Sequence, residues 1–120
     1  MIFHITTYID WDKAKTQSEY TAPSLKSDGF IHCSTLKQVV NTANIFFKGQ
    51  EGLVLLSIDE NILKSECKYE DTIGGGKDDP SAGKHFPHIY GPINISAVIK
   101  VVDFPPNESG LFSLPEGMIK

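Results

Sequence analysis

The sequence predicts an α+β fold on three observations. Leu36 to Phe47 repeats apolar residues at helical spacing. Leu53 to Ile58 is almost uniformly apolar, as a strand buried on both faces would be. Several other short segments alternate apolar and polar residues with the two-residue period of half-buried strands. At 120 residues, with 40% hydrophobic and 22% charged residues, the chain has the composition of one globular domain, residues 1–120, with a real core.

Ile2 to Thr6 alternates as a first strand, with Ile2, His4 and Thr6 on one face and Phe3 and Ile5 on the other. Asp10 is placed to cap a short helix that carries Trp11 and Ala14 on one side. That helix must end before Pro23, because the residue preceding a proline disfavours the α region. Tyr20 to Lys26 reads as irregular and Ser27-Asp28-Gly29 as a turn. Phe30 to Cys33 reads as a second strand, with Phe30 and His32 on one face and Ile31 and Cys33 on the other.

The longest helix runs from about Ser34 to Lys48. With Thr35 as cap, Gln38 falls where a capping box needs it. Its stripe of Leu36, Val39, Val40, Ala43, Phe46 and Phe47 reads as core. Leu53 to Ile58 is the central strand, Asp59 to Leu63 makes one helical turn, and Cys67 to Thr72 is a strand carrying Lys68 and Glu70. Gly74 to Lys84, with four glycines and a proline, reads as a long loop. Phe86 to Tyr90 is a strand whose Phe86, His88 and Tyr90 face one way and Ile89 the other. Ala97 to Phe104 is the last strand, and Pro105 to Lys120 holds enough apolar residues (Leu111, Phe112, Leu114, Met118, Ile119) to pack.

All 11 basic residues are lysines, and the net charge is −4. Without arginine forks or a basic field, a DNA partner is not expected. No apolar run reaches the length of a membrane span, and the N-terminus lacks the basic and apolar regions of a signal peptide, so a cytoplasmic location is expected. In that compartment Cys33 and Cys67 are expected as reduced thiols.

His4, His32 and His88 each sit mid-strand between apolar neighbours, and a shared concave site is expected to gather them. Three imidazoles also admit a three-histidine metal site, although their spacing does not require one. Ser34 and Thr35 open a helix directly after His32, a setting for capping or for an anion. Phosphate-loop and dinucleotide fingerprints both fail in the glycine-rich stretch, since Lys84 is followed by His85 and no strand runs through these glycines into a helix. Pro87 and Gly91-Pro92 bracket His88 and fix its backbone. If His88 serves a ligand rather than the core, His88→Ala is expected to cost about 1 kcal/mol or less in stability.

Taken together, His4-Ile5-Thr6, Trp11 with Ala14, Tyr20 before Ser24-Leu25, Asp28-Gly29-Phe30-Ile31-His32-Cys33-Ser34-Thr35, Phe86-Pro87-His88-Ile89-Tyr90-Gly91-Pro92 and Leu114-Pro115 resemble a small uncharacterised bacterial family, domain of unknown function 952. That family's fold is similar to ADP-ribosyltransferases, which implies a mixed, curved, split sheet flanked by the main helix. The resemblance also implies an NAD-like ligand. His4-Ile5-Thr6 resembles the first-strand element that holds the ribose and nicotinamide amide, with Ile5 where glycine is usual. His32 falls near the place of the aromatic that stacks on nicotinamide. The strand that carries the transferase glutamate resembles Phe86 to Tyr90, which contains none; Glu70 is the nearest carboxylate in a strand.

The expected function is therefore binding or turnover of a nucleotide-like small molecule in a cleft lined by His4, Thr6, Tyr20, His32, Ser34, His88 and Tyr90. If the protein is an enzyme, a transferase or hydrolase, His88 and His32 are its catalytic candidates. No resident metal is expected, and NAD is the one cofactor suggested. A non-catalytic ligand-binding or protein-interaction module is the competing class, alongside the three-histidine metal site.

Overall fold

The computed structural model describes residues 1–71 and 85–118. The stretch from Gly74 to Lys84 and residue Ile119, both read above, lie outside them. The first sheet has the order β1 (Ile2–Thr7), β4 (Leu53–Ile58), β8 (Val98–Asp103). The apolar run is its central strand, and its composition follows from having core on both faces. Val54, Leu56 and Ile58 pack with Ile2, Trp11, Ile31 and Ile89. Leu53 and Leu55 pack with Phe3, Ile5, Val39, Ala43, Phe104 and Phe112. The alternation expected of the first strand holds, with Ile2 in one cluster and Phe3 and Ile5 in the other.

A second sheet has the order β3 (Ile31–His32), β6 (His85–Ile89), β5 (Cys67–Asp71). A ribbon of β2 (Glu19–Tyr20) and β7 (Ile93–Asn94) stands apart, and a backbone bridge between Phe3 and Ser34 ties the two larger sheets together. The split sheet and the α+β class agree with expectation; the mixed pairing does not. Every strand pairing among the described residues is antiparallel, because no connection returns the chain in the sense a parallel crossover needs.

Helix α1 (Tyr8–Lys15) follows β1 without a break, and its cap is Thr7 rather than Asp10. Thr7 Oγ1 accepts from the Asp10 backbone N–H at 3.1 Å, and Asp10 places a carboxylate in the first turn. Trp11 and Ala14 are buried as expected. Residues Tyr20 to Lys26 are not irregular: they hold the end of β2 and helix α2 (Pro23–Ser27), with Pro23 at a position where its missing N–H leaves nothing unpaired.

Helix α3 (Leu36–Phe46) is capped at Thr35, whose N–H donates to Gln38 Oε1 at 2.9 Å. Val39 and Ala43 are fully buried, but Leu36 and Phe46 are exposed, against the expectation that the whole stripe is core. Asp59 to Leu63 contains one turn closed by the Ile62 N–H on the Asp59 carbonyl. The tail packs through Phe112. Asn44 Oδ1 accepts from its N–H at 2.7 Å and Asn44 Nδ2 donates to its carbonyl at 3.3 Å. Cys33 and Cys67 are free thiols. Among the described residues no helix is long and apolar enough to cross a membrane.

Candidate active site

Pairing in the second sheet decides which side chains meet. His32 lies opposite His88, Lys68 opposite His88 on the other edge, and Glu70 opposite Phe86, so all of these share one face. Ile31, Cys33, Cys67 and Ile89 take the opposite face and join the core. The sheet is therefore apolar behind and carries its chemistry in front.

In front lies a cavity of about 530 Å³, of the size small-molecule sites use. Its walls come from β1, β3, β6, α3 and the segment from Tyr20 to Ser24. Phe3, Ile5, Phe46 and Phe86 are among its apolar lining residues. Of the residues expected at the site, His4, Thr6, Tyr20, His32, Ser34 and His88 line it. Tyr90 does not: it shares the face of Phe86 and His88 but lies beyond the cavity, with Lys68 Nζ over its ring at 5.1 Å.

His88 is 1% exposed. Phe30 stacks on its ring at 4.0 Å between centroids, and His32 meets it edge-on at 5.6 Å. Its Nδ1 lies 2.9 Å from Glu70 Oε1. The Tyr90 hydroxyl donates to the same carboxylate oxygen. These two donors, Tyr90 first, hold the Glu70 carboxyl below its usual range. An ionised carboxylate only accepts, so His88 Nδ1 carries the proton and donates it. Nε2 is then the ring atom left for a ligand.

His32 is held in a parallel way. Its Nε2 lies 2.8 Å from Asp28 Oδ2, and this contact depresses the Asp28 carboxyl. The side chain is half-exposed, at the mouth rather than the floor. Ser34 Oγ donates to Thr42 Oγ1 at 3.3 Å and serves as wall.

His4 departs from its expected role. Its Nδ1 lies 2.7 Å from the His32 carbonyl and its Nε2 lies 2.9 Å from the Tyr20 hydroxyl, so both ring nitrogens are engaged within the protein. Burial pushes its pKa down to about 4. The three-histidine metal site fails for this reason, and among the described residues no group of three His, Cys, Asp or Glu side chains is arranged to hold a metal.

Three site residues were not assigned from sequence. Glu70 was visible only as a strand carboxylate, since nothing local says that β5 and β6 pair in the register that puts it on His88. Asp28 read as a turn residue, although its spacing of four from His32 was a usable signal. Phe46 read as core. It lies seven residues beyond Val39 on the inner stripe of α3, but the cavity rather than protein lies beneath it, and it is 60% exposed.

The family model described as "Protein of unknown function (DUF952)" matches residues 5–101. Among solved structures, the crystal structure of protein CC0527 from Caulobacter crescentus superposes with a TM-score of 0.80 at 33% identity, covering 94% of this chain and 93% of that one. The solution NMR structure of CC0527 gives a TM-score of 0.75 at 33% identity, covering 92% and 89%. No curated protein matches.

Proposed function

The chain belongs to the DUF952 family of proteins of unknown function, and we propose from its site that the cavity binds a nucleotide-like small molecule and turns it over with His88 as general base. The observation that carries the reading is the Glu70–His88 pair. A carboxylate fixes one tautomer of a buried imidazole whose residue lines an apolar cavity. That arrangement directs Nδ1 to the carboxylate and leaves Nε2 as the ring atom to take a proton from a water or an acceptor hydroxyl. His32, anchored by Asp28 and in edge contact with the His88 ring, is the second imidazole lining the cavity and the second acid–base group this reading assigns.

Two features support a nucleotide-like ligand over other small molecules. Aromatic walls at Phe46 and Phe86 offer faces for a planar base. The resemblance of His4-Ile5-Thr6 to the ribose-holding element of ADP-ribosyltransferases points the same way, and His4, Thr6 and His32 line the one cavity. The chemistry differs from theirs in one respect. Glu70 is aimed at His88 and is not among the cavity-lining residues, so it acts as a positioning residue and not as a charge beside a developing oxocarbenium ion.

The test is calorimetry together with product analysis on NAD, cyclic nucleotides and RNA ends bearing a 2′-phosphate. A ligand should bind and be converted, with nicotinamide released in the case of NAD. Glu70→Gln should lower turnover on the order of 10²-fold and shift its pH profile, with binding largely kept. Glu70→Asp should restore part of the rate. Binding without conversion over hours would leave a non-catalytic binding module, and no binding by any of the three classes would overturn the reading.

A further inference from the structure

Tyr20, His4 and Thr6 form a buried chain of polar atoms at one wall of the cavity, and its proton order can be worked out from one end. The His32 carbonyl only accepts, so the His4 Nδ1 at 2.7 Å must carry a proton and donate it. His4 is buried and its pKa lies far below neutrality, so the ring holds that proton alone and Nε2 is bare. Nε2 then needs a donor, and the Tyr20 hydroxyl at 2.9 Å is the group beside it. Tyr20 Oη has one proton, which goes to Nε2. Its contact with Thr6 Oγ1, also 2.9 Å, must therefore run the other way, with Thr6 donating to Tyr20 Oη. Burial drives the Tyr20 pKa up to about 12, with the Thr6 hydroxyl pulling against it, so the phenol keeps its proton.

We infer that this chain makes the Thr6 hydroxyl an obligate acceptor toward the cavity, so that the site selects a ligand presenting an N–H or O–H donor at Thr6. The inference rests on the cavity being the ligand site proposed above, and it names the chemistry that site reads. A carboxamide or a sugar hydroxyl satisfies it. A carboxylate at the same place meets lone pairs with lone pairs. His4, to which the family likeness would give the ligand contact, has no nitrogen to offer and instead transmits the polarity. Leaving a buried acceptor facing another acceptor is what gives hydrogen-bonding pockets their large discrimination.

Two measurements decide it. The ¹⁵N shifts of His4 at pH 7 should show a pyrrole-type Nδ1 and a pyridine-type Nε2; a protonated Nε2 overturns the inference whatever binds. Calorimetry then compares NAD with nicotinic acid adenine dinucleotide, which differ only as carboxamide and carboxylate. Wild type should prefer the amide at least tenfold. In Tyr20→Phe, where Thr6 regains a free donor, the preference should collapse toward unity or reverse. Equal or tighter binding of the acid by wild type overturns the selection. If neither dinucleotide binds, the amide selection is overturned, while the nucleotide reading stands or falls on the cyclic nucleotides and 2′-phosphate ends of the test above.

Discussion

Removing the His88 ring separates its two roles, and the structure changes the magnitude expected of it. The sequence reading, in which a site histidine contributes little to the fold, implied a loss of about 1 kcal/mol or less for His88→Ala. The ring is 1% exposed and lies against Phe30, with His32 on its edge. Truncating a buried side chain of this size removes about 2 kcal/mol through lost transfer energy and residual cavity. The aromatic stack on Phe30 adds about 1 kcal/mol. The contact with Glu70 adds nothing to this sum, because that carboxylate keeps Tyr90 and faces solvent. A loss of about 3 kcal/mol follows, which lowers Tm by roughly 12 °C for a chain of this length. Urea unfolding with unchanged m, read beside scanning calorimetry, measures it. His88→Phe keeps the stack and fills the space, so it should return to within about 1 kcal/mol of wild type while turnover stays abolished. A His88→Ala protein that melts within 3 °C of wild type, as the sequence reading implied, would refute the wedged-ring argument.

Buried neutral His4 makes stability depend on pH in a definite direction. Its pKa is about 4 in the folded state against 6.5 unfolded, so the unfolded chain binds more protons between these values. Its contribution is fully present above pH 6.5 and is lost as pH falls toward 4, by at most about 3 kcal/mol; His4→Gln should flatten that part of a pH–stability curve. Gly91→Ala would set a Cβ 2.5 Å from Ser65 Oγ, which donates to the Pro92 carbonyl, so the variant should lose about 1–2 kcal/mol in chemical denaturation. Phe46→Ala, at an exposed position, should leave stability within about 0.5 kcal/mol while weakening any nucleotide that calorimetry detects. A large stability loss there would mean that the side chain is core after all.

The parts of the fold legible in sequence are those where one local pattern suffices. The run Leu53 to Ile58 reads as a buried strand from its apolar residues and short length, and Thr35-x-x-Gln38 before Val39 and Ala43 reads as a helix start. Two-residue strands such as Glu19–Tyr20 and Ile93–Asn94 have no period to read, since they exist only because each lies beside the other. Asp10 was the expected cap, but β1 runs on to Thr7 and α1 opens at Tyr8, so Thr7 takes that place. That His4, His32 and His88 line one cavity was legible because strand faces follow from alternation. Which nitrogens remain for a ligand was not, because the Glu70 and Tyr20 contacts cross between segments far apart in the chain.

The order of strand pairing has a kinetic consequence. β1 finds β4, β4 finds β8, β3 finds β6 and β2 finds β7 only across long stretches of chain, whereas Asp71 and His85 close β5 onto β6 over a short one. Loop closure is least unfavourable there, so this pair is the natural nucleus and the remaining pairings set a slow folding rate. It is also the pair that carries Glu70, His88 and Tyr90. On this order His88 and its carboxylate partner should meet before the cavity walls assemble around them. Variants that unsettle this hairpin should retard folding itself, whereas those in the walls contributed by β1 and α3 should chiefly hasten unfolding.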